Sequence, residues 1–72
     1  MGLFQQLREA RQVAGLTYEE VARGAALDST AIAHYEAGRR QPSPVSLEKW
    51  RGALKQLMAA RAAAIATRLI EF

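Results

Sequence analysis

Cysteine is missing from this chain of 72 residues, which removes both a disulfide framework and a thiolate zinc site as supports for a small core. No apolar run comes near the ~18 residues that a membrane-spanning helix needs, and no charged, apolar and small series at the start reads as a secretory leader. Gln6 stands where a myristoylation motif after Gly2 wants Ser or Thr. The expectation is a soluble, cytoplasmic protein with no membrane partner. Equally absent are a Ser/His/Asp or Cys/His set, a glycine-rich loop after a strand, and a second histidine or a cysteine near His34. Those absences point away from an enzyme and lead us to expect no metal, cofactor or small-molecule ligand.

What the chain does have is apolar residues, which make up half of it. That suffices for one small domain, whose surface-to-volume ratio leaves stability marginal unless helices pack well or chains pair. Its net charge of +3 is unevenly placed: residues 1–38 carry −2 and residues 39–72 carry +5. The positive field therefore lies after Glu36, where it suits contact with phosphates; a solvated basic face is the plainer alternative.

No segment alternates as a strand does, whereas Leu3, Leu7, Ala10 and Ala14 recur at helical spacing until Gly15, so a first helix is expected over about 2–14. Thr17 and Glu20 form the Thr-x-x-Glu pattern of a capping box, opening a second helix that reaches about Ala25. Asp28 is the expected cap of a third helix, ending near Ala37 with Gly38 as its left-handed terminator. Ser43 and Pro44 then supply a cap followed by proline at the first helical position. Beyond them Leu47, Trp50, Leu54, Leu57, Met58, Ile65, Leu69 and Phe72 keep helical intervals. This stretch is either one helix to about Ile70 or two, divided by a kink near Gln56 to Ala60, and the division is slightly favoured. The fold class is all-α, a small helix-turn-helix bundle of four to five helices with an Ala-rich C-terminal helix.

Two short helices crossing steeply must approach closely, which calls for a small residue and apolar anchors. Ala22 is the small residue, with Val21, Ala25, Leu27, Ile32 and Tyr35 as anchors. The run from Leu16 to Ser43 resembles the helix-turn-helix of the Cro/cI-type, or xenobiotic-response-element-type, phage repressor family. The resemblance rests on Leu16-Thr17, Glu19-Glu20, Ala22, Ile32, Glu36, Gly38-Arg39-Arg40 and Pro42-Ser43, and with the flanking helices covers about residues 3 to 55.

That resemblance implies a lambda-repressor-like DNA-binding domain over 1–55, with residues 56–72 as a dimerisation or core-capping segment. Helix 28–37 would lie in the major groove, with Ser29, Thr30, Ala33 and His34 toward base edges. Thr17 and Tyr18 would meet one phosphate at the start of the second helix, and Arg39 and Arg40 others from the exit loop. Arg11 and Glu36 would form a structural ion pair, a surface arginine withheld from DNA. The implied function is a sequence-specific regulator of transcription, most simply a repressor. It would bind double-stranded DNA as a homodimer at a short inverted repeat and associate with the nucleoid. Its small size suits a stand-alone switch, an antitoxin or a restriction-modification controller.

Three features depart from the family pattern. Tyr18 replaces the common glutamine. Ala26 stands where glycine is usual, so the turn is either strained by ~1 kcal/mol or reshaped. Between Ser29 and Ala37 there is no Arg, Lys, Asn or Gln for a bidentate base contact, which leaves hydroxyls, methyl contacts, His34, waters and DNA shape to discriminate.

The tail has two readings as well. Met58, Ile65, Leu69, Ile70 and Phe72 are more apolar surface than a small monomer should expose, which favours self-association; the alternative is a tail folded back over its own core. A different class of function keeps the fold as a protein-interaction module of antitoxin or adaptor type, with the tail as partner helix. A weaker third option lays the basic tail on an anionic membrane.

Overall fold

Three successive helices end with the same device, and that repetition sets the architecture. The computed structural model describes residues 2–71, which form α1 (Leu3–Val13), α2 (Tyr18–Ala25), α3 (Ser29–Glu36) and α4 (Pro44–Glu71). Past the first three helices a left-handed residue turns the chain: Gly15 at φ 69°, Ala26 at φ 55° and Gly38 at φ 74°. The next amide reaches back five residues, Leu16 to the Arg11 carbonyl at 3.0 Å, Leu27 to Ala22 at 2.9 Å and Arg39 to His34 at 2.9 Å. Each bond satisfies a carbonyl that the helix end would otherwise leave open.

Ala26 is the odd member of the three. The turn keeps its left-handed geometry rather than reshaping, so the methyl is accommodated at an energetic cost. Ala26→Gly is therefore expected to stabilise the fold by about 0.5–1 kcal/mol. Thermal unfolding followed by circular dichroism should show a rise of about 4 °C, and a fall in Tm would contradict the strain.

The helix starts differ from one another. At α2, Thr17 Oγ1 accepts from the Glu20 amide at 3.1 Å, but the Glu20 carboxylate does not return to Thr17 and faces Arg61 at 3.5 Å. Only half of the expected capping box forms. Asp28 precedes α3 in an extended conformation yet makes no side-chain cap; its carboxylate is exposed and stays hydrated. Ser43 does cap α4, accepting from the Ser46 amide at 3.1 Å.

Trp50 is where the elements meet. Its ring is fully buried, with Phe4 of α1 at a centroid distance of 5.9 Å and Tyr35 of α3 at 5.6 Å. Around it lie Leu16, Val21, Ala22, Ile32 and Leu54, and each large aliphatic side chain so buried stabilises the fold by about 1.5–3 kcal/mol. The indole Nε1 has no acceptor among the described residues, which offsets part of that gain. Ala22 is buried in the core cluster, as the tight crossing of α2 and α3 requires. A second approach appears only in the structure: a Cβ on Gly24 would lie 3.4 Å from the Ala53 Cβ, an ordinary van der Waals distance, so two small residues meet where α4 packs on α2 and a methyl at 24 would still fit.

The slightly favoured kink near Gln56 to Ala60 does not occur. α4 runs unbroken for 28 residues, about 42 Å at helical rise, and so sets the longest dimension of 44 Å. No proline interrupts it, Gly52 faces open space, and the alanines beyond Met58 have the highest helix propensity. The tail is not folded over the core either, because every residue from Ala59 to Ile70 is exposed.

Candidate nucleic-acid interface

At 3.6 residues per turn, α3 turns Ile32, Tyr35 and Glu36 inward, all buried, and carries Thr30, Ala33 and His34 on the opposite side. Thr30 is exposed, while Ala33 and His34 are half-buried. Ser29 sits about 100° around the helix from Thr30, at the flank of this face, and is half-buried. No side-chain hydrogen bond or ion pair within the described residues engages Ser29, Thr30 or His34. Their polar atoms are available to an external partner.

The loop after α3 is held against the same end of that helix by the Arg39 amide bond to His34 O. Arg39 and Arg40 are exposed, and neither guanidinium has a carboxylate partner among the described residues. Two uncompensated cations thus stand beside the C-terminal end of the outward face. At the start of α2, Thr17 and Tyr18 are exposed. The amides of the first helical turn point outward there, apart from the one that Thr17 caps, and such a terminus favours an anion.

Arg11 locks these parts into one frame. Its Nε donates to Glu36 Oε2 at 2.7 Å and its Nη2 to Oε1 at 3.0 Å, a two-pronged pair joining α1 to the end of α3. Nη1 donates to the Leu16 carbonyl at 2.8 Å, and the guanidinium lies 4.3 Å from the centroid of the Tyr18 ring, within cation–π range. The hydrogen bond to Glu36 holds Arg11 further into its charged form, against an opposing effect of burial. The sequence suggested a surface pair, but the side chains are only 11% and 2% exposed, so the pair belongs to the interior. Tyr18 is thereby held over Arg11 in place of the adaptable amide that a glutamine would offer.

The tail residues divide. Met58 is half-buried and packs against the core, so only part of its side chain is left for an intermolecular contact. Ile65 and Leu69 are 56% and 69% exposed and, four residues apart, share a face. Ile70 is 85% exposed but lies about 100° around the helix from Leu69, off that face. Phe72 lies outside the described residues. Arg61, which sequence reasoning passed over as one basic residue among several, reaches back across the domain, with Nη1 donating to Ala14 O at 2.9 Å and Gly15 O at 3.2 Å. No local signal marks it, because its partners lie 47 and 46 residues away.

Among the described residues no cluster of His, Cys, Asp or Glu could hold a metal ion, and no helix is long and apolar enough to cross a membrane. Two short helices packed on each other and joined by a left-handed turn, with the second presenting an unpartnered polar face, define a helix-turn-helix unit. In agreement, the family model of the helix-turn-helix domain matches residues 3–68, and the chain belongs to that family. No curated protein and no solved structure matches the chain.

Proposed function

We propose that this protein is a sequence-specific regulator of transcription that binds double-stranded DNA with α3 in the major groove. It acts most simply as a cytoplasmic, nucleoid-associated repressor at a short inverted repeat. The observation that carries this reading is the outward face of α3, polar and unpartnered at Thr30 and His34, flanked by the unpaired Arg39 and Arg40. In this reading Thr30, Ala33 and His34 meet base edges, with Ser29 at the rim. Thr17 and the free amides of α2 take one phosphate, with Tyr18 as a hydroxyl donor beside them, and Arg39 and Arg40 take others.

Binding to short duplexes across a salt series tests it. Affinity should fall steeply with salt, at a slope of about 0.9 per neutralised phosphate, and replacing Arg39 and Arg40 together by alanine should flatten that slope by about two units at most. A slope unchanged by the double replacement would remove those arginines from the interface. Binding without salt dependence, or no binding, would instead favour a protein-interaction module. The arginine-free sequence of α3 is the feature that suits that second function.

Pairing of two copies through Ile65 and Leu69 completes the proposal. The surrounding alanines allow close helix approach, and a two-fold dimer would set its recognition helices about 34 Å apart, one turn of DNA. Leu69→Glu should convert the dimer to monomer in equilibrium sedimentation and weaken binding to an inverted repeat by about 100-fold, the loss of avidity. A wild-type chain that sediments as monomer at tens of micromolar would refute the dimer.

A further inference from the structure

Among the described residues, Arg61 is the last side chain of the long helix with a hydrogen bond or ion pair to its own domain. Beyond it every side chain to Ile70 is exposed, whereas its guanidinium holds three groups at once: the carbonyls of Ala14 and Gly15 at 2.9 and 3.2 Å and the Glu20 carboxylate at 3.5 Å. The first two belong to the end of α1 and its terminating turn, where open carbonyls favour a cation. The third lies in the first turn of α2, three residues from Thr17. Gly15 leaves room for this contact, since a Cβ there would lie 3.3 Å from Arg61 Nη1.

We infer that Arg61 is a positioning residue that couples the tail to the DNA-facing end of α2. Arg11 holds the same turn through Leu16 O, so the carbonyls of Ala14, Gly15 and Leu16 are all held by arginines, one from α1 and one from α4. Glu20 faces Arg61 rather than returning to Thr17, so one of the two carboxylates in the first turn of α2, Glu19 being the other, is compensated beside the amides that would receive a phosphate. A change in tilt of residues 62–70, as when a second chain pairs with them, passes through Arg61 to those amides. By linkage, DNA seated on α2 would alter pairing of the tail to the same degree. This inference rests on the DNA-binding reading and adds to it a residue that need not touch DNA.

The full-length chain carrying Arg61→Ala tests it beside Arg61→Lys, whose ammonium can still serve two carbonyls. Without DNA, amide exchange at Gly15 and Leu16 should quicken in Arg61→Ala and stay near the parent in Arg61→Lys. On a duplex bound by the parent, Arg61→Ala should lose affinity by about tenfold with the salt slope unchanged. In a Thr17→Ala background the loss should shrink to about threefold or less, because the two residues act on one site. A slope reduced by about one unit would make Arg61 a phosphate ligand and overturn the inference. An undiminished loss in the Thr17→Ala background, or affinity and exchange equal to the parent, would overturn it too. Quickened exchange with no duplex bound by the parent would instead sink the DNA-binding reading, and the inference with it.

Discussion

Arg11→Ala is expected to remove a large share of the fold's stability, about 3–5 kcal/mol. Removing one partner of a buried ion pair strands the other, and Glu36, with its side chain 2% exposed, loses its charge partner in the interior. A domain of this size has only about 4–11 kcal/mol of stability in all, and the same substitution also removes the bond to Leu16 O and the contact with Tyr18. Glu36→Ala should cost less, because the longer arginine can turn its head to solvent. Arg11→Met with Glu36→Leu should recover most of the loss, since apolar residues of similar volume can replace a buried pair. Urea unfolding followed by the fluorescence of Trp50 measures all three. A single Arg11→Ala variant within about 1 kcal/mol of the parent would show that Glu36 finds other partners.

Arg11's share of that stability has a defined pH dependence. Its guanidinium is held more firmly protonated in the folded chain than in the unfolded one. The contribution is therefore fully present below arginine's ordinary range and lost only as pH rises through the higher folded value. Raising the pH from 7 to about 9 should leave this contribution unchanged.

Thr30→Glu should abolish DNA binding while leaving the fold intact. Thr30 is exposed in the first turn of α3, where a carboxylate interacts favourably with the helix dipole by about 0.3–1 kcal/mol, so Tm should hold or rise slightly. Between phosphate ridges the same charge meets like charge at a cost of several kcal/mol, and affinity for any duplex should fall at least 100-fold, about 2.7 kcal/mol. Loss of binding in a protein at least as stable as its parent separates recognition from folding. Unchanged affinity would place α3 outside the groove.

The parts of this molecule legible in its sequence are those written in local chemistry. Gly15 and Gly38 end helices because they reach positive φ, Thr17 and Ser43 start them because a hydroxyl can face a nearby amide, and Trp50 and Tyr35 lie on apolar stripes that the core absorbs. Where a residue has two local options, local chemistry cannot choose. Glu20 could serve the Thr17 amide or a distant cation, and Arg61 decides the matter from the far end of the chain. Ala26 could strain the turn or reshape it, and the turn held because Leu27 bonds back to Ala22. Met58 reads as tail by position, yet the unbroken course of α4 brings it onto the core. Gly24 and Ala53 gave no sign of their approach, since two small residues become a contact only once the helices carrying them are packed.

The outward face of α3 as a groove reader is the claim on which the functional account turns, and amide chemical-shift mapping on adding a duplex selected from a random library tests it most directly. Shifts should concentrate at Thr17 and Tyr18, from Ser29 to His34, and at Arg39 and Arg40, with the tail beyond Arg61 little changed apart from pairing. Shifts confined to Ile65 and Leu69, or a library that yields no bound duplex at low salt, would contradict it.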